Sequence, residues 1–174
     1  MDNDNHLRFP IGKFSPQEIY STQELKDFIR RIENLPERVA NEVKSFTKND
    51  FEKTYREDGW TGRQVIHHLA DSHMNSYIRF KWTLTEDMPT IKAYDENAWA
   101  NTGENLTDPV ISIALLKALH LKWTTLLQQL TAEELKKQFI HPESKKQISL
   151  EHMLALYAWH GDHHLGHLKI IAPK

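Results

Sequence analysis

Apolar residues recur at helical spacing along most of the chain, and the breaks in that pattern coincide with helix-start signals. The first stripe is Leu25, Phe28, Ile29 and Ile32, continuing through Val39 and Val43. It opens behind Ser21-x-x-Glu24, a capping box in which the two side chains each accept a hydrogen bond from an otherwise unpaired N–H. Pro36 lacks the N–H a helix needs and is expected to kink or restart it. A second helix opens at Thr61-x-x-Gln64 and carries Val65, Ile66, Leu69, His73, Tyr77 and Phe80, ending near Glu86 before Pro89. From Asp87 to Asp108 the pattern lapses, which predicts a long irregular crossover with one short helix. Asp108 caps a third helix with Pro109 at its first position, and Ile113, Leu116, Leu119, Leu127 and Leu130 extend it to about Leu130. Thr131-x-x-Glu134 adds a further turn or two, and Ser149 caps a final helix that runs to about Ile171. Strand-like alternation is not apparent. The pattern predicts an all-α fold, a four-helix bundle in which one long connection changes the up-down order.

Length and composition narrow the function more than the fold. A chain of 174 residues fits one domain spanning 1–174, with residues 1–20 read as an extended N-terminal arm. Cysteine is absent, which excludes disulfides and thiolate metal ligands, so any ion must sit on nitrogen and oxygen. A net charge of -2 supplies no footprint for nucleic acid or an anionic membrane, so neither partner is expected. The polar start of the chain lacks the apolar run of a signal peptide, and no stretch reads as a membrane span; the expected location is the cytoplasm.

Histidine is the unusual component: of eleven, three fall between His67 and His73 and five between His152 and His167. On the final helix the apolar seam reads Met153, Tyr157, His160, His164, Leu168, Ile171, so two histidines replace apolar residues within a core stripe. Their i, i+4 spacing holds both imidazoles close enough to chelate one ion. A bundle supplies further ligands from a facing helix, and the second helix carries His67, His68 and His73. Periodicity leaves these three open. His73 lies in the apolar stripe, as a core residue would; His68 shares the border of that face with Ser72, Asn75 and Arg79; His67 lines up with Asp71 and points further away. His163 and His167 fit supporting or surface roles, with His167 the alternative ligand. Asp162 points away from the seam, as a solvated residue rather than a general base, and the sequence identifies no catalytic acid or base.

The run Tyr55-Arg56-Glu57-Asp58-Gly59-Trp60-Thr61, followed by Arg63 through Tyr77, resembles the second-helix signature of the DinB superfamily, specifically its YfiT-like branch. Tyr94-Asp95-Glu96 with Trp99, His141-Pro142, and Leu156-Tyr157 through Trp159-His160 to His164 and His167 extend the resemblance over nearly the whole chain. It implies a DinB-type bundle with up-down-down-up connectivity, a homodimer, and one zinc or nickel ion per subunit. The implied ligands are His68, His160 and His164. Proteins of that branch are named as metal-dependent hydrolases, and related members are thiol S-transferases that use bacillithiol.

Three neutral imidazoles leave coordination positions open for water or a small-molecule substrate, as in catalytic rather than structural zinc sites, and the ion lowers the pKa of bound water or thiol. The expected activity is therefore hydrolysis, with bacillithiol-dependent transfer to an electrophile as the alternative. A non-catalytic, metal-stabilised stress-response protein is the third reading. Trp60, Asn75 and Arg79 are candidates for orienting a substrate, although a core tryptophan and a surface arginine are the simpler expectation.

Overall fold

A computed structural model describes residues 5–173. Its elements in chain order are α1 (Asn5–Arg8), α2 (Thr22–Glu42), α3 (Lys48–Glu52), α4 (Gly62–Thr85), α5 (Glu96–Ala100), α6 (Val110–Leu127), α7 (Ala132–Leu135), β1 (Gln138–Ile140), β2 (Gln147–Ser149) and α8 (Leu150–Ile171). The long helices α2, α4, α6 and α8 form the bundle; α2 and α4 each pack against both α6 and α8.

The predicted caps form. Glu24 N–H donates to Ser21 Oγ at 3.3 Å while Ser21 N–H donates to Glu24 Oε2 at 2.8 Å, and Thr61 with Gln64 repeats the exchange at 3.2 and 3.0 Å. Ser149 caps α8 through the His152 N–H; at α6 the cap position falls on Pro109 instead of Asp108, whose side chain accepts from the Val110 N–H. The third helix stops at Leu127, short of Leu130. Between α7 and α8 lies the antiparallel pair β1 and β2, an addition to the all-α pattern; at three residues each, the strands are too short for alternation to register. The N-terminal arm is extended only in part, because α1 supplies a helical turn; its residues 1–4 lie outside the described residues.

The crossover after α4 sets the topology. It leaves the far end of α4, pairs Thr90 with Ile140, and returns along that helix: Arg79 donates to Lys92 O, Gln64 to Ala100 O, and Arg63 to Leu106 O and Thr107 O. The segment therefore ends beside the start of α4, and α6 runs parallel to it, giving the up-down-down-up order. The returning segment also covers the outer side of α4. Every residue from Val65 to Ala70 is buried in consequence, so α4 has no polar face there.

Pro36 neither ends nor restarts α2, which is continuous through it. The lost hydrogen bond would have run to the carbonyl four residues earlier, Ile32 O. His120 of α6 fills that role, donating from Nδ1 to Ile32 O at 2.6 Å with the ring almost fully buried. A carbonyl only accepts, so the His120 proton sits on Nδ1.

This pairing predicts a coupled stability effect. His120→Leu strands the Ile32 carbonyl and is expected to cost about 1–3 kcal/mol in urea unfolding. In a Pro36→Ala background the helix regains its own N–H, and the cost of His120→Leu should fall by about 1 kcal/mol or more. Equal costs in both backgrounds would break the link.

Candidate metal centre

Antiparallel packing of α4 against α8 sets the first turns of one beside the last turns of the other. His68 from α4 meets His160 and His164 from α8, and one ligand nitrogen from each lies within 4.8 Å of the other two. His68 Nε2 and His160 Nε2 are 3.2 Å apart. Two nitrogens held tetrahedrally at the usual zinc distance stand roughly 3.3 Å apart, so this pair already has chelating separation. Gly161, between the two α8 histidines, allows the close approach of α2: a Cβ there would lie 2.5 Å from Leu35 Cδ2.

His67 faces elsewhere. Its Nδ1 pairs with Ser112 Oγ at 2.7 Å and its Nε2 lies 3.4 Å from Thr107 O, tying α4 to α6 and the crossover. His73 is fully buried, with Nε2 at 3.2 Å from His160 Nδ1. His167 is buried behind His164, its Nδ1 3.3 Å from His164 Nδ1. His163, expected toward the edge of the apolar face, is also buried, stacked on Trp159 at 4.6 Å. Asp162 is not simply solvated: Arg31 and Arg38 of α2 both pair with it, so its carboxylate fastens α8 to α2.

The cluster opens into a cavity of about 450 Å³ lined by His68, His160 and His164. Phe9, Tyr55, Trp60 and Trp159 form its aromatic walls, and Arg8, Arg56, Asp58 and Glu96 bring charge to it. Trp60 lies 4.5 Å from the His68 ring and donates from Nε1 to Asn97 Oδ1 at 3.2 Å. Asn75 instead bonds the Asp71 carbonyl, and Arg79 lies over Tyr94; neither lines the cavity. The contribution of the N-terminal arm was illegible in the sequence, because nothing in residues 5–14 signals where they pack. Gly166 is the one local sign of it. A Cβ there would lie 2.7 Å from Pro10 Cγ, so glycine lets the arm lie against α8.

Burial holds the imidazoles neutral. Desolvation pushes His68 down to about 3 and His163 and His167 down to about 4, and holds His160 and His164 well below the ordinary histidine value. Neutral rings are the state in which histidine binds metal.

Two sets of relatives bear on this geometry. Residues 26–168 match the family model of the DinB superfamily. The Bacillus subtilis (strain 168) protein named "Putative metal-dependent hydrolase YfiT" is 46% identical over 97% of this chain and 96% of its own. A "Putative metal-dependent hydrolase" of Bacillus cereus (strain 03BB102) is 43% identical over 98% of each. The solved structure of B. subtilis YfiT, described as a probable metal-dependent hydrolase with an unusual four-helix bundle topology, superposes with a TM-score of 0.93 over 95% of both chains. A mycothiol-dependent maleylpyruvate isomerase shares the fold at a TM-score of 0.67 and 13% identity, over 86% of this chain and 63% of its own.

The histidine shifts carry a pH prediction. Unfolded histidines take up protons near pH 6.5, whereas these folded ones resist until about 3 to 4. Between those limits the unfolded state binds more protons, so stability rises with pH. Metal-free protein should show its full melting temperature above about pH 6.5 and lose it steadily down to about pH 4. A melting temperature that stayed level across that window would contradict the burial of these rings.

Proposed function

The chain belongs to the DinB superfamily, and from that starting point we propose that it is a metal-dependent hydrolase using one zinc or nickel ion on His68, His160 and His164. The observation that carries the reading is the open cluster: three imidazoles with ligand nitrogens within 4.8 Å of one another, one pair at 3.2 Å, line a cavity large enough for a small molecule. The donor set fits zinc or nickel, both of which accept neutral imidazole. A divalent ion held there supplies a Lewis acid that lowers the pKa of a bound water or thiol.

The chain's own residues do the rest. His68, His160 and His164 would hold the ion where they line the cavity. Trp60 and Trp159 line the cavity and offer flat apolar faces to a substrate. Asp58 and Glu96 are the carboxylates in the cavity wall. A structural ion would have a fourth protein ligand. Among the described residues, the group that shares ligand distance here comprises three histidines and no carboxylate.

Transfer of an external thiol such as bacillithiol to an electrophile is the second reading. The absence of cysteine favours it over any transferase that would use a thiol of its own.

Untagged protein should carry about one zinc or nickel per chain by elemental analysis. His160→Ala and His68→Ala should abolish this, while His67→Ala keeps the ion and loses some stability through Ser112. Wild-type metal content in His160→Ala would sink the ligand assignment. Loaded protein incubated with ester and amide panels, and with a thiol-reactive electrophile with and without bacillithiol, then separates the two reactions. Turnover of an ester or amide without thiol supports hydrolysis; conjugate formed only with thiol overturns it.

A further inference from the structure

Behind two of the three proposed ligands stands another buried histidine, and the hydrogen-bond partners assign the protons along each arm. His167 Nε2 lies 3.2 Å from Arg8 O, which can only accept, so that nitrogen carries the His167 proton. His167 Nδ1 is then a lone pair, and it lies 3.3 Å from His164 Nδ1, which must donate to it. A neutral His164 with its proton on Nδ1 has its lone pair on Nε2. The second arm runs the same way. If His160 uses Nε2 as a ligand, its proton sits on Nδ1, 3.2 Å from His73 Nε2, which must accept. His73 Nδ1 then carries a proton, and His73 lies stacked on His120 at 4.8 Å. His120 donates its Nδ1–H to Ile32 O, so its Nε2 is a lone pair; His73 Nδ1 and His120 Nε2 are each buried with no hydrogen-bond partner.

We infer that His73 and His167 are positioning residues that accept hydrogen bonds from the Nδ1–H groups of His160 and His164, locking both ligands with Nε2 toward the ion. This rests on the reading of His68, His160 and His164 as ligands. Histidine ligands are usually oriented by a carboxylate, a carbonyl or water, and a carboxylate adds negative charge and raises ligand basicity. A neutral imidazole orients the ligand without adding charge, so the ion keeps more of its Lewis acidity. The arrangement also explains why His163, His164 and His167 are not a second metal site despite ligand atoms within 4.8 Å. A neutral His164 has one lone pair, and the first cluster takes it. The N-terminal arm is part of the device, because Pro10 against Gly166 helps hold Arg8 O at His167.

Long-range proton–nitrogen NMR on zinc-loaded protein reads the tautomers directly. The expected spectrum has His160, His164 and His73 protonated at Nδ1 and His167 at Nε2. A His167 protonated at Nδ1 overturns the inference. In zinc competition with a chromophoric chelator, His167→Leu should weaken binding by about ten- to a hundred-fold, and His167→Asn, whose amide oxygen replaces the accepting nitrogen, should recover most of it. Gly166→Val, which lifts the arm, should weaken binding in the same direction without touching any histidine. Unchanged affinity in His167→Leu, or two zinc ions per wild-type chain with one lost in His167→Leu, overturns the positioning role. Zinc retained at wild-type affinity by His160→Ala overturns the ligand reading itself.

Discussion

A neutral imidazole has one lone pair and one N–H, and this bundle buries His68, His73, His120, His164 and His167 with His160 among them. Each ring must satisfy both nitrogens or leave one orphaned in a low-dielectric interior, where an unpaired polar atom costs about 1–3 kcal/mol. The structure meets part of that requirement: His164 pairs with His167 and His167 with Arg8 O, His160 pairs with His73, and His120 donates to Ile32 O, while His73 Nδ1 and His120 Nε2 are left unpaired. Ile32 O accepts from His120, and Arg8 O ends the arm through His164 and His167. One carbonyl is free because Pro36 removes its helical partner; the other is delivered by the N-terminal arm. Features that look like irregularities of fold are therefore where the histidine cluster finds its acceptors.

Topology supplies the rest of the site. Because the crossover doubles back along α4, α6 starts beside the start of α4, and the segment from α5 to Thr107 covers what would have been that helix's exposed side. This coverage lets Asn97 engage Trp60 and brings Glu96 to the cavity. The aromatic wall is assembled from the arm, the turn before α4, and α8. None of these could enclose a small molecule alone.

Much of this was legible in the residues. The capping boxes fixed three helix starts, and the interruption of an apolar seam by His160 and His164 marked the cluster. The choice among His67, His68 and His73 was not legible from periodicity, for a physical reason: all three are buried, and from Val65 to Ala70 α4 is covered on every side. Position on the wheel cannot rank residues when every direction faces protein; resemblance to the family singled out His68. The β1–β2 pair was too short to show alternation. The partners of Asp162 and the docking of the arm depend on contacts more than a hundred residues apart, which no local pattern encodes.

The central claim is that one ion binds where α4 meets α8. Anomalous diffraction from crystals of the zinc- or nickel-loaded protein, collected on either side of the metal edge, tests it most directly. One peak per chain is expected, about 2.1 Å from nitrogens of His68, His160 and His164, with no fourth protein ligand. A peak between His163 and His167, or a carboxylate completing the coordination, would contradict it.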